Sequence, residues 1–240
     1  MRIVLLGATG FLGRFLLPQL SAAGHRCIAL TRYRPACRGL SVLPRVEIRQ
    51  ARLRDGVWSA GQLAEHMEGA QAVISMVGIL NEPGRSGEGF QRAHVGQVER
   101  VLEACRTVGI RRLVHVSALG AGEGMSHYLV SKGAAETAIR GTPGINATII
   151  QPSVIFGRGD AFFNRFASLL KLAPVLPLAC PDARMQPVWA GDVATLICRV
   201  LSDERAYGET LVAVGPREYS LRELVDYTAR VAGLKRRIAG

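Results

Sequence analysis

The chain has 240 residues, 48% of them apolar, with five cysteines and a formal net charge of +11. That length supports one sizeable core, or a core with a small lobe, since domains commonly run to roughly 100 to 200 residues, and the lack of low-complexity tracts argues against disorder. No apolar run approaches the roughly 18 residues of a bilayer-spanning helix, and the cysteines at 27, 37, 105, 180 and 198 form no CxxC or Cys/His cluster, so neither a disulfide framework nor a metal site is expected.

The N-terminus, "MRIVLLGATG", moves from an apolar strand directly into a Gly-rich turn with no cleavage-site pattern, which predicts a soluble, cytoplasmic protein with buried, reduced thiols. Short apolar runs then alternate with helical stretches: "RIVLLG", "FLGRFLLPQLSAAG", "RCIALT", "VEIRQA", "GQLAEHMEG", "AVISMVG", "AHVGQVERVLEACRTVG", "RLVHVSA", "SHYLVSKGAAETAIRG" and "NATIIQPSVIFG". This βαβ rhythm predicts an α/β fold, a doubly wound parallel sheet of the Rossmann type. Glycines at 24, 69, 109 and 141 are read as helix C-caps, because glycine tolerates the left-handed conformation. After residue 150 prolines and loop character increase. The reading is a dinucleotide-binding domain over 1–152 and a small substrate or partner lobe over 153–240. That lobe returns to the sheet through a helix in "VWAGDVATLICRVL", a strand in "GETLVAVG" and an amphipathic helix in "SLRELVDYTARVAG". The chain stops at "LKRRIAG", where a closing segment is expected.

"GATGFLG" places Gly7, Gly10 and Gly13 between the first strand and first helix, where glycine permits a tight turn and the helix amides can meet a pyrophosphate. The second strand ends at Thr31 and Arg32 with no nearby carboxylate for a ribose 2′-hydroxyl; a guanidinium there suits a 2′-phosphate, predicting NADP(H) over NAD(H). Seven arginines lie between 31 and 55 (Arg32, Arg34, Arg38, Arg45, Arg49, Arg52 and Arg54) against Glu47 and Asp55. That surplus predicts an acidic protein partner or an anionic membrane surface; without interleaved aromatics, nucleic acid is disfavoured. Tyr128 and Lys132 stand four residues apart on one helical face, so an ammonium could lower the phenol's pKa and also hold a ribose. Asp192 is read as capping or packing the helix it begins.

The Gly7–Gly10–Gly13 turn, "VHVSA", "YLVSK" and "QPSVIFGRGD" together resemble the short-chain dehydrogenase/reductase superfamily in its extended and atypical branches. "HYLVSKGAAE", "IIQPSVIFGRGDAFFNRFASLLK", "MQPVWAGDVA" and "VGPREYSLRELV" are similar to the family of nucleotide-binding accessory subunits of NADH:ubiquinone oxidoreductase, respiratory complex I, and their bacterial relatives. The resemblance implies that Gly7, Thr9, Gly10, Phe11, Leu12 and Gly13 form the pyrophosphate turn and that Val77 and Gly78 pass the adenosine and ribose. It implies that "QPSVIFG", with Pro152 and Val154, faces the nicotinamide, and that Tyr128, Lys132 and Ser117 are the catalytic candidates.

Three departures accompany it. Leu119, preceded by Ala118, stands where catalytic relatives hold the reacting carbonyl with a hydroxyl, leaving Ser117 at the strand's end; His94 stands near a structural Asn, and Arg52 where relatives carry an adenine-contacting Asp. The readings are a nucleotide-holding structural or assembly protein with weak redox activity, at the inner face of a respiratory membrane, or an active NADPH-dependent reductase or epimerase/dehydratase-like enzyme taking a quinone or carbonyl substrate. A redox sensor, whose partner binding follows the nucleotide's oxidation state, is the third.

Overall fold

A computed structural model describes residues 1–33, 37, 39–53, 55–82 and 84–239. In chain order it contains β1 (Arg2–Leu6), α1 (Gly13–Ala22), β2 (Arg26–Thr31), β3 (Val46–Gln50), α2 (Ala60–Met67), β4 (Ala72–Ser75), α3 (Glu88–Phe90), a π-helical turn (Gln91–Gly96), α4 (Gln97–Val108), β5 (Arg112–Val116), α5 (His127–Arg140) and β6 (Asn146–Pro152). There follow β7 (Ile155–Phe156), α6 (Phe162–Leu172), β8 (Val175–Pro177), β9 (Arg184–Met185), β10 (Val188–Trp189), α7 (Ala190–Val200), β11 (Thr210–Ala213), β12 (Tyr219–Ser220), α8 (Leu221–Val231) and β13 (Arg237–Ala239). The chain divides into two compact units, Met1–Gln151 with Ala194–Val212, and Pro152–Val193 with Ala213–Gly240, so the second is discontinuous in sequence.

The first unit is built on a seven-stranded sheet of order β11-β6-β5-β4-β1-β2-β3. The strands from β6 across to β3 pair in parallel, as the buried apolar runs predict. One face packs on α2, α4 and α5: Val4, Leu6, Val73 and Leu113 meet Leu63, Met67, Val98, Val101 and Ile139. The alternate strand residues Ile3, Leu5, Cys27, Ala29 and Ile74 are equally buried, so both faces are covered. Each helix buries a side chain set spaced at three and four residues, and a buried Leu or Val contributes about 1.5–3 kcal/mol. At the opposite end of the strands from the glycine turn, the buried Arg112 guanidinium donates to the carbonyls of Leu201, Val200 and Asn146 and to Thr148 Oγ1. It also lies 4.6 Å from the centroid of the Tyr207 ring. Carbonyl and ring partners thus replace the carboxylate a buried cation usually needs.

Gly24, Gly69 and Gly109 close their helices with positive φ; Gly141 is the C-cap of α5 as expected, but at φ −77° it is right-handed, so only the left-handed conformation is corrected. Cys27, Cys37 and Cys105 are buried, whereas Cys180 is exposed and Cys198 half-buried, so the expectation of uniformly buried thiols is also corrected. Asp192 is the third residue of α7, inside its first turn, rather than its cap.

The second unit has its own core of Leu170, Leu176, Leu178, Leu221, Val225 and Ala229, joined by Phe162 and Phe166. Just ahead of α6, Asp160 accepts from the Phe163 amide at 2.7 Å, and Ser220 and Glu223 form a reciprocal capping box at the start of α8. Among the described residues no helix is long and apolar enough to cross a membrane.

Candidate functional site

β1 pairs with β2 on one side and β4 on the other, so the chain reverses its direction of build at β1 and a crevice opens at the carboxyl ends of β1 and β4. The glycine turn lies there. Gly7 has φ +80°, and a Cβ on it would stand 2.8 Å from the Met76 carbonyl oxygen and 3.2 Å from the Val77 nitrogen. At Gly13 the Cβ would stand 2.0 Å from the Ala8 carbonyl oxygen, so only glycine lets α1 begin this close to the turn. The Gly10 amide donates to the Gly7 carbonyl at 3.0 Å, Leu12 is buried, and Phe11 packs edge-on against Phe15 with ring centroids 5.4 Å apart. Thr9 is half-buried in the same turn. A loop that leaves no room for Cβ atoms and opens a helix is a cradle for a pyrophosphate.

The segment after β4 carries Val77 and Gly78. A Cβ on Gly78 would lie 3.2 Å from Lys132 Nζ and 3.5 Å from His94 Nε2, so the structure brings Gly78, Lys132 and His94 together. Lys132 is 4% exposed, and its Nζ donates to the Val116 carbonyl at 3.3 Å. Burial, partly offset by Glu136, pushes its pKa down to about 8. Glu136 is itself held by Arg140 at 2.6 Å and by Gln151 at 2.8 Å. An ammonium with three donors and one protein acceptor has two donors to offer a ligand.

Tyr128 is half-buried one turn earlier, and among the described residues no protein group hydrogen-bonds its hydroxyl. Its pKa is raised by burial in the ring's setting, whereas the sequence leads to the expectation of a pKa lowered by the Lys132 ammonium. That setting is Phe90 and His94, whose rings stand edge-on to Tyr128 at 5.8 and 5.4 Å. His94 is buried and bonded on both nitrogens. Nε2 accepts from the Ile79 amide at 3.2 Å, which leaves the proton on Nδ1 to donate to Ser131 Oγ at 2.8 Å; the Ser131 hydroxyl in turn donates a hydrogen bond to the Tyr128 carbonyl at 2.8 Å. Burial and the Lys132 charge drive the His94 pKa down to about 3, so the ring is neutral. His94 therefore ties the segment after β4 to the helix carrying Tyr128.

Ser117 follows β5, its amide on the Ile150 carbonyl at 2.7 Å and its hydroxyl buried without a partner among the described residues. Leu119, beyond it, is 40% exposed. Arg32 is exposed just past β2; its carbonyl accepts from Gln50 Nε2 at 3.2 Å, and its guanidinium forms no ion pair with any described residue. Within the arginine cluster Arg34, Arg38 and Arg54 lie outside the described residues, and Arg49 is paired to Glu47 at 2.7 Å. Pro152 ends β6 and the Val154 carbonyl accepts from the Val188 amide at 2.9 Å; both belong to the second unit. The described residues contain no group of three His, Cys, Asp or Glu able to hold a metal.

Sequence reasoning missed the Ile79–His94–Ser131 chain and the π turn that carries His94. A π turn leaves no compositional signature, and Ser131 is an ordinary small residue inside "YLVSK". Proximity of His94 to Lys132 arises only from tertiary packing.

A family model described as NAD(P)H-binding matches residues 7–160. NADH dehydrogenase [ubiquinone] 1 alpha subcomplex subunit 9, mitochondrial, of Mus musculus is 31% identical over 92% of this chain and 58% of its own length. Ceramide reductase of Caulobacter vibrioides is 30% identical over 98% of this chain and 72% of its own. The chain thus spans little more than half the length of the mouse protein. Among solved structures, MoeE5 in complex with UDP-glucose and NAD superposes with a TM-score of 0.78 at 20% identity, over 100% of this chain and 84% of that one, which shows the shared fold.

Proposed function

Because this chain belongs to the NAD(P)H-binding family of the short-chain dehydrogenase/reductase superfamily, we propose that it holds NADP(H) in the crevice at β1 and β4 and supports slow carbonyl or quinone reduction through Tyr128. The observation that carries the reading is the pairing of a buried Lys132 ammonium, beside Gly78 and with donors to spare, with an unpartnered Tyr128 hydroxyl one helical turn away. The site fits the dinucleotide: Gly7 and Gly13 let the turn pack tightly against the backbone of Met76 and Ala8 where α1 begins, the helix start that suits a pyrophosphate, and Lys132 offers its free donors to ribose hydroxyls.

The reduced nicotinamide, when bound, supplies the hydride. Tyr128 does the protein's part of the chemistry: a phenol kept protonated by burial donates its proton to the substrate oxygen as that oxygen becomes an alkoxide. His94 and Ser131 fix the start of α5 so that the hydroxyl keeps its position. Leu119 brings no hydroxyl to the oxygen, and the loss of one such donor costs about 10²- to 10³-fold in rate, which makes turnover slow. Preference for the 2′-phosphate form rests on Arg32, exposed and without an ion pair among the described residues.

A second reading, a nucleotide held for structure within an assembly, is favoured by Leu119 itself and by the likeness to the mouse accessory subunit. Arg32, Arg45 and Arg52, exposed among the described residues, support docking on an acidic protein or anionic lipid surface, which added salt must weaken. Stoichiometric NADPH incubated with the purified protein and a panel of quinones and carbonyl compounds separates the two: consumption supports the reductase, and an unchanged nucleotide supports the holder.

A further inference from the structure

The segment that leaves β4 is tied down at two places. Its Ile79 amide donates to His94 Nε2. Three residues further on, the Glu82 carboxylate accepts backbone amides at the start of α3: Gly87 on Oε1 at 2.8 Å, and Gly89 and Phe90 on Oε2 at 2.8 and 3.3 Å. The first amides of a helical stretch have no partner within it and form its positive end, so a carboxylate suits that place. Here the stretch is long, because α3 runs without a break through the π turn into α4. The approach is also close: a Cβ on Gly89 would stand 2.7 Å from Glu82 Cβ and 2.9 Å from its Oε2.

Phe90 is where this turn meets the site. Its amide is on Glu82, and its ring stands edge-on to Tyr128 with centroids 5.8 Å apart and 5.7 Å from the ring of His94. We propose that Glu82 is a positioning residue for the proton donor: by holding the amides of Gly89 and Phe90, its carboxylate fixes the Phe90 ring against Tyr128 and so keeps the phenol in place at the crevice. The role rests on the reading of Tyr128 as that donor. Glu82→Gln breaks the tie with little change of shape, since one oxygen becomes an NH2 group facing amides that also donate.

The Phe90 ring bears on Tyr128 through burial, which is what raises the phenol's pKa. Of the titratable groups around it, His94 from the π turn and Lys132 on α5, with pKa values of about 3 and about 8, are both neutral before a phenol ionises at about 10. Glu88 on α3 and Arg92 on the π turn pair with each other at 3.8 Å, and His127 at the start of α5 lies against Gly87.

Two readouts test the role. In an ultraviolet titration of the phenols of the nucleotide-free protein, the step missing from Tyr128→Phe belongs to Tyr128. In Glu82→Gln that step moves to lower pH, because water reaches a phenol whose covering ring has come away. Phe90→Leu moves it in the same direction, and Glu82→Gln added to Phe90→Leu moves it no further, since the two residues act as one. An unmoved step in Glu82→Gln overturns the role. So does a shift that adds to that of Phe90→Leu, the result of a direct effect of the lost carboxylate charge. In NADPH oxidation, Glu82→Gln lowers kcat by about 10- to 100-fold at unchanged KM for NADPH, the cost of a displaced reacting group; an unchanged kcat overturns the role. The titration requires neither nucleotide nor turnover, so failure of the natural protein to oxidise NADPH counts against the proposed function alone.

Discussion

Lys132 Nζ and the Val116 carbonyl oxygen are 3.3 Å apart, and this is the ammonium's one hydrogen bond to a described residue. A buried cation so lightly supported costs the fold stability and is available to a ligand, so its pH dependence runs in opposite directions for the two. Below about 8 Lys132 is charged in both folded and unfolded chains; between there and 10.5 the unfolded chain binds more protons, so stability of the nucleotide-free protein rises with pH across that window. NADPH affinity falls across the same rise, as the cation that holds the ribose is lost. Lys132→Met should flatten both profiles, raise the thermal midpoint and weaken NADPH by about 10- to 100-fold, the worth of a charged hydrogen bond. Thermal melts and fluorescence titrations at a series of pH values check it.

Gly13→Ala places a methyl group 2.0 Å from the Ala8 carbonyl oxygen, against backbone that cannot rotate away. The loss of stability should reach about 3 kcal/mol or more, above the usual range for overpacking because the clash is with main chain. Denaturant unfolding beside a control such as Gly61→Ala, where nothing lies within 4 Å, isolates the clash from the general effect of adding a methyl group.

Arg32→Ala should leave NADH binding near its natural value and reduce NADPH affinity by about 10- to 100-fold, the worth of charge-assisted bonds to a 2′-phosphate. Parallel titrations with both nucleotides measure the ratio, and an unchanged ratio would remove Arg32 from the site.

Leu119→Ser returns a hydroxyl to the position where its absence is proposed to slow the reaction. Since Leu119 is 40% exposed, the exchange costs the core little, and carbonyl-dependent NADPH oxidation should rise by about tenfold or more. Initial rates at saturating nucleotide provide the comparison.

The fold was legible because its signals are local. β-branched runs bounded by glycine mark β1, β2, β4 and β5, and the turn at Gly7–Gly13 sits where the order of the strands reverses. Tyr128 and Lys132 were legible by their spacing on α5. Their electrostatics were not, because the Tyr128 pKa is raised by burial, and the rings of Phe90 and His94 that pack on it arrive from α3 and the π turn. The same holds for His115, an ordinary strand residue in "VHVSA" whose place between Ser75 and Ile149 depends on the register of β4, β5 and β6. Gly141 shows the converse: a glycine at a helix end suggests a left-handed cap, yet here the backbone stays right-handed.

The most direct test of the central claim follows NADPH bound to the natural protein and to Tyr128→Phe, each offered the same panel of quinones and carbonyl compounds. The account predicts slow oxidation by the natural protein and its loss in Tyr128→Phe, with NADPH affinity unchanged because the ribose is held by Lys132. Bound NADPH that survives intact in both proteins, or oxidation that persists without the phenol hydroxyl, would contradict the assignment of Tyr128 as the proton donor.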